Sequence, residues 1–200
     1  MILTLTGASG AGKTTIAGEL LKKLPIYARM VPSYTTSTRK PRPTDLPGEY
    51  KYVSKFRFRF LKKIGAFLWT VYPHGNSYGT TKRWVSRALK DDSTVYVMLL
   101  FSDAIKKLNG FAEEVGYSNQ VFSFFILSPA QEILRERLKS RGDEEGEIEK
   151  RIADCIKWDS EAKISDISYE FVENNSTIES VTEKVITEFV QKFDDCDSYF

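Results

Sequence analysis

Little in this chain is available for redox or metal chemistry. Its 200 residues include two cysteines, Cys155 and Cys196, and one histidine, His74. The cysteines lack metal-ligand spacing, so they read as reduced thiols of a cytoplasmic protein rather than a disulfide or a zinc site. Strong charge of one sign is missing too. A net charge of +2 gives no bulk argument for nucleic acid or a membrane surface as partner. No apolar run approaches the ~20 residues that span a bilayer. The opening MILTLTG is too short and too uncharged for a secretory leader. No repeat, low-complexity tract or linker is evident. What is there is ordinary globular composition, 42% hydrophobic and 28% charged. That length suits one compact α/β domain with small inserted lobes, and nothing in it demands an obligate protein partner.

Along the chain, ILTLT (2–6) is a short β-prone run ended by Gly7. Thr14–Leu24 carries apolar residues at Ile16, Ala17, Leu20, Leu21 and Leu24, a helical period stopped by Pro25. Residues 32–48 hold four prolines in PSYTTSTRKPRPTDLPG and should be irregular or extended. EYKYVS and AFLWTVY read as strands around a basic-aromatic helix, KFRFRFLKKIG. Its Phe56, Phe60 and Ile64 share one face, which predicts the face turned to the core. Thr80–Lys90 reads as a helix. TVYVMLLF (94–101) and VFSFFIL (121–127) are continuous apolar runs that suit strands buried on both faces of a parallel sheet. Helices are expected over Asp103–Glu114, Pro129–Ser140, Ile148–Ala162 and Ile178–Phe193, with a short strand YEFV before the last. RGDEEGE (141–147) is a polar break. The alternation predicts a three-layer α/β sheet, with residues 33–90 as a lobe inserted after its second strand.

TGASGAGKTT (6–15) carries the clearest chemistry. Gly7-Ala8-Ser9-Gly10-Ala11-Gly12-Lys13-Thr14 fits G-x-x-x-x-G-K-[ST], followed by Thr15. Glycines let successive backbone N–H groups face a phosphate at the positive end of the following helix. Lys13 would reach the β- and γ-phosphates of ATP, and the Thr14 hydroxyl would ligate Mg²⁺. A random chain of this length carries the pattern about once in a hundred. Its place between a strand and a helix is the context it needs.

Three further pieces, SYTTSTRKPRP with GEYKYV, GAFLWTVYPHGNSYGTT, and LRERLKSRG with IEKRI, together resemble the guanylate kinases. The likeness in order and spacing runs along nearly the whole chain, to ENNS before the last helix. It implies a P-loop NTPase fold: a core of 1–32, 91–136 and 152–200, a mononucleotide-binding lobe at 33–90, and a helical lid at 137–151. It implies phosphoryl transfer from ATP, with Mg²⁺, to a nucleoside monophosphate, most simply GMP or dGMP. Arg39 and Arg42, three apart in a stiff proline-bounded segment, match arginines that grip the acceptor phosphate with Tyr50 and Tyr78. Ser33, Thr35, Trp69, Gly79 and Thr80 complete the acceptor set. Arg137 and Arg141, at i, i+4, and Arg151 match lid arginines that cover the phosphates. Arg135 is the weaker case, read with Glu132, Glu136 and Lys139 as surface charge. Asn174 matches an asparagine near the donor base; ENNS equally suits a strand-to-helix turn and N-cap. His74 in YPHGN reads as a turn residue.

The chain departs from that family at the base. Trp69 stands where a carboxylate accepts hydrogen bonds from guanine. Leu99 and Phe101 stand where aspartates help place acceptor and metal, with Asp103 two residues on. TTSTR is two residues longer than the usual TTR. Three readings follow: a guanylate kinase, a kinase for another mononucleotide or small acceptor, and a non-catalytic guanylate-kinase-like binding module. The intact Gly12-Lys13-Thr14 argues against the last, since a binding module has no need of ATP.

Overall fold

The computed structural model describes residues 1–24, 26–37, 45–72, 75–140 and 142–197. Its main sheet has five strands in the order β2-β7-β1-β8-β9: β1 is Ile2–Thr6, β2 Ala28–Met30, β7 Val95–Leu99, β8 Val121–Leu127 and β9 Glu170–Glu173. Every pairing is parallel. Alternation along the strands sends Tyr96, Met98 and Phe125 to one face and Val97, Phe124 and Ile126 to the other. The first face is covered by α3 (Lys82–Leu89) and α4 (Ser102–Glu114), through Val85, Leu89, Ile105 and Leu108. The second is covered by α1 (Lys13–Lys23) and α7 (Ile178–Asp197), through Ile16, Leu20, Val181 and Val185. This is the expected three-layer arrangement. From β1 the chain leaves toward β2, while from its neighbour β8 it leaves toward β9. Opposed exits open a crevice above the C-terminal ends of the two strands.

The second sheet has four strands in the order β4-β3-β6-β5. They are β3 (Ser33–Thr35), β4 (Tyr50–Tyr52), β5 (Phe67–Val71) and β6 (Tyr78–Thr81). Ser33–Thr35 is an extended piece of the proline-rich stretch, paired as a strand. One of the four differs from the sequence reading. Tyr78–Thr81 is a strand where the helix had been expected to start, because β5 and β3 flank it and take its backbone bonds.

Helix α2 (Lys55–Lys63) covers this sheet, with Ser54 Oγ accepting from Arg57 N as its cap. Its inward face is not the one expected. Phe58 is 2% exposed and stacks on Phe67 at 4.6 Å between centroids, whereas Phe56 is 81% exposed. Phe60 and Ile64 are exposed as well. The helix has two apolar faces, and Phe58 with Leu61 wins the core because that pair meets Tyr34 and Phe67 across the sheet. Helix α3 buries its apolar side in the main core, so the inserted segment ends packed against the central sheet. Two more helices, α5 (Gln131–Ser140) and α6 (Glu145–Lys163), form a pair over the crevice through Leu134, Leu138, Ile148 and Ile152.

Candidate functional site

The loop from Gly7 to Gly12 leaves β1 in the crevice, and torsion favours its glycines, with space adding to the requirement at Gly7. Gly7 has φ 145, and a Cβ there would lie 2.4 Å from the Ile126 carbonyl oxygen of β8. Gly10 at φ 91 would drive a Cβ to 2.9 Å from Leu134 of α5. Gly12, in the left-handed region at φ 92, is the N-cap residue of α1. Between the glycines, Ala8 is buried against α5 and α6 and Ala11 against α1 and the sheet. Ser9 is exposed at the tip. The loop is therefore fixed from both sides, and the turn it makes sits on the positive end of α1.

Lys13 folds back into this loop, its Nζ donating to the Gly7 and Ala8 carbonyls at 2.8 Å each. Carbonyls satisfy its N–H groups but carry no full charge. Burial accordingly lowers its pKa to about 8. Thr14 and Thr15 stand exposed on the first turn of α1. Among the described residues no cluster of three or more His, Cys, Asp or Glu could hold a metal. A cation beside Thr14 would have one protein hydroxyl, water and the nucleotide's own phosphates as ligands. That donor set fits Mg²⁺, which keeps waters and binds through one or two protein groups plus phosphate.

Of the lid arginines, Arg137 on α5 is half-buried and has no ion-pair partner among the described residues. Arg151 on α6 reaches the loop: Nη1 donates to Ser9 Oγ at 3.2 Å, and Nη2 lies 3.8 Å from Asp143 Oδ1. Arg135 is occupied by Glu145 and Glu149 of α6, which makes it a brace within the helix pair. Arg141 lies outside the described residues, as do Arg39, Arg42 and His74.

The remaining residues expected to bind an acceptor are spread over the small sheet. Ser33 and Thr35 lie on β3, where Thr35 is buried and its Oγ1 accepts from Ser37 N at 3.0 Å. Tyr50 and Tyr78 meet edge to face with centroids 6.0 Å apart. Gly79 is packed so tightly that a Cβ would lie 2.9 Å from both Phe67 and the Trp69 carbonyl. Thr80 is buried opposite Trp69 in the β5–β6 register. Trp69 itself is 7% exposed and belongs to the main core with Val31, Val85 and Leu100. At the end of β7, Leu99 is half-buried, and Phe101 sits edge-on against Trp158 of α6 at 5.7 Å. Asp103 is exposed in the first turn of α4.

Two anchors were not legible as such. Asn174 is 1% exposed, and its Nδ2 donates to the Ala11 carbonyl at 2.7 Å. The next residue, Asn175, accepts from Ala130 N at 3.2 Å. The N-cap of the last helix falls later, at Thr177, whose Oγ1 accepts from Ser180 N. On α6, Asp159 accepts from Ser128 N at 3.0 Å and Oγ at 3.3 Å, and burial raises its pKa. Cys155 lies beneath the loop, its Sγ 3.6 Å from the Ser9 carbonyl, with burial pushing the thiol pKa up. Paired asparagines directly after the edge strand β9 were the one visible signal.

A family model described as guanylate kinase matches residues 1–192. The guanylate kinase of Wolbachia pipientis wMel is 32% identical over 187 residues, covering 92% of this chain and 87% of that protein. That of Helicobacter pylori (strain ATCC 700392 / 26695) is 37% identical over 160 residues, 78% of this chain and 72% of that one. Among solved structures, guanylate kinase from Anaplasma phagocytophilum superposes with a TM-score of 0.57. It covers 96% of this chain and 84% of that chain at 22% identity, a likeness of fold.

Proposed function

The chain belongs to the guanylate kinase family, a family of nucleoside monophosphate kinases, and from that premise we propose that it transfers the γ-phosphoryl group of ATP to GMP or dGMP, leaving ADP and a nucleoside diphosphate. The observation that carries the proposal is the loop closed on Lys13, a cation held among neutral carbonyls with its pKa lowered to about 8. An anion is what such a group lacks. Triphosphate would draw Nζ off the Gly7 and Ala8 carbonyls and onto its β- and γ-oxygens. Backbone N–H groups of Gly10 and of Gly12 through Thr14 would face the same phosphates at the end of α1, while the Ala11 N–H donates to the Ala8 carbonyl.

No general base is needed, because the acceptor's phosphate is already an anionic nucleophile near pH 7, its second pKa being about 6. The work is charge neutralisation and alignment. Arg137, without a carboxylate partner among the described residues, and Arg151, beside Ser9, supply guanidinium groups from the lid. Arg141, Arg39 and Arg42 take their roles from the resemblance. Tyr50 and Tyr78 offer hydroxyls to the acceptor phosphate, and Thr14 holds Mg²⁺. Bound there, Mg²⁺ offsets charge on the transferring oxygens. In this reading the core is 1–32, 91–136 and 152–200, the lobe 33–90 and the lid 137–151, in a cytoplasmic enzyme whose partners are nucleotides.

The test is ADP release across ribo- and deoxyribonucleoside monophosphates. Turnover that requires an acceptor, and that Lys13→Ala removes, is expected. Bare ATP hydrolysis with no acceptor dependence overturns the proposal.

Trp69 favours a second reading of the acceptor. Guanine offers an N1–H and a 2-amino group, and a buried indole has one donor and no acceptor to meet them. Each unpaired donor costs about 1–3 kcal/mol. Discrimination of roughly 10⁴ comes from pairing such groups. A flattened or shifted base preference is therefore expected in kcat/KM for GMP, dGMP, AMP, CMP, UMP and dTMP. Strong selectivity for GMP in the wild type rules it out.

A further inference from the structure

Asn174 sits behind the phosphate loop rather than at its mouth. It follows β9, at the edge of the main sheet, and is 1% exposed. Its Nδ2 donates to the Ala11 carbonyl at 2.7 Å, a bond between residues 163 apart in sequence. The orientation of the amide is not open to a flip, because oxygen in that place would face another carbonyl oxygen. Its own Oδ1 has no partner among the described residues. A buried acceptor left unpaired is costly, so the side chain is kept for what its donor does. The amide also bounds the next residue: a Cβ on Gly12 would lie 2.5 Å from Nδ2.

In a trans peptide the carbonyl and the following N–H point in opposite directions. A hydrogen bond that holds the Ala11 carbonyl toward Asn174 therefore turns the Gly12 N–H the other way, to the side of the loop opposite β9. Gly12 is the N-cap of α1, and Lys13 follows directly. One side chain thus fixes the peptide plane from which the helix and its lysine start.

We propose that Asn174 is a positioning residue that aims the Gly12 N–H into the phosphate site, and that it acts on the phosphates through the loop rather than on the base of the donor. The inference rests on the reading of this loop as the ATP site. Asn174→Asp removes the donor and adds a charge facing a carbonyl. Asn174→Leu keeps the shape and removes the donor, together with an Oδ1 that has no partner among the described residues.

Tripolyphosphate, which has phosphates and no base, separates the two roles. Equilibrium binding of Mg²⁺–ATP, of Mg²⁺–tripolyphosphate and of GMP alone is measured for wild type, Lys13→Ala and Asn174→Leu, alongside thermal melting. With Asn174→Leu, the ATP and tripolyphosphate affinities should fall together by tenfold or more. GMP affinity should stay within twofold and the melting temperature within a few degrees. Loss of ATP affinity with tripolyphosphate unchanged makes Asn174 a base contact and overturns the proposal. A parallel fall for GMP overturns it too, since that is loss of fold. No change for either donor also overturns it. If Asn174→Leu does not fold, Asn174→Ala, which opens space instead of filling it, decides by the same comparison. Should Lys13→Ala bind tripolyphosphate as the wild type does, it is the reading of the loop as the ATP site that fails. If only the Asn174 variants bind normally, that reading stands and the inference alone falls.

Discussion

At the C-terminal edge of the main sheet the proposed phosphate surface is the polypeptide itself, whereas on the small sheet the proposed acceptor surface is a set of side chains. The loop from Gly7 to Gly12 is shaped by backbone torsion and by how closely other main chain and Leu134 approach it. Such a surface is written largely in one contiguous stretch, with Asn174 supporting it from outside. The small sheet recruits Thr35, Tyr50, Trp69, Tyr78 and Thr80 from four short strands. There, one substitution can replace a carboxylate by an indole and leave the strands where they are. The lobe has a diffuse asset instead: no acidic residue occurs between Lys51 and Lys90. Excess positive charge draws any nucleotide phosphate to it without naming a base. In the proposed function, phosphate recognition and base recognition are thus built from different materials, and the second is the easier to lose.

The largest expected effect breaks the first half of that contrast. Lys13→Ala should lower kcat by about 10³-fold or more, with melting no lower than wild type, because the substitution removes a desolvated cation along with its function. Retained turnover would show that the loop's backbone suffices. On the small sheet the largest effects should be on stability. Phe58→Ala should cost about 3–5 kcal/mol in denaturant unfolding, since Phe58 fills the space between α2 and Phe67. A smaller loss would mean that α2 repacks on its other apolar face.

A pH titration sharpens the comparison further. The Lys13 pKa in the free protein is lowered to about 8, and bound triphosphate favours the ammonium. ATP affinity should therefore hold below pH 8 and fall by up to tenfold per unit above it, with a proton taken up on binding. Calorimetry in buffers of different ionisation enthalpy reads that proton. The same shift has a sign for folding. The unfolded lysine, at 10.5, binds its proton more tightly than the folded one. This group therefore lowers stability below pH 8 and relieves the cost between 8 and 10.5. GMP affinity should show no such step at pH 8. Smallest of all, Phe56→Ser should change stability by no more than about 0.5 kcal/mol, well below the Phe58 effect, because the side chain is solvated already.

The same contrast explains what the sequence disclosed. Strand β8 runs Val121–Leu127, as its apolar run predicts, because a parallel strand buried on both faces has no polar alternation to confuse. The loop and α1 were legible from spacing alone. α2 was legible as a helix but not in orientation: Phe56-Phe60-Ile64 and Phe58-Leu61 are both helical spacings, and only the partner sheet chooses between them. Tyr78–Thr81 could not be read as a strand from its own residues, since Gly79 is favoured there by the packing of Phe67 and the Trp69 carbonyl. Asn174 was visible as a match and hidden as an anchor, because its partner is a carbonyl 163 residues away.

The continuity of α6 has a mechanical consequence. It is one uninterrupted helix of 19 residues, Glu145–Lys163, and so about 28 Å long. Its far end belongs with the α5 pair, and Ala162 near its other end is seated in the main core. A rod held at one end converts small angles into large arcs. Tilting α6 by about 10° around Lys163 would sweep Glu145 through about 5 Å and Arg151, two thirds of the way along, through about 3 Å. That is enough to make or break a guanidinium contact with Ser9, while Trp158, nearer the pivot, would move only about 1 Å against Phe101. Fulcrum and stroke are both set by helix length, and no joint inside the helix has to bend.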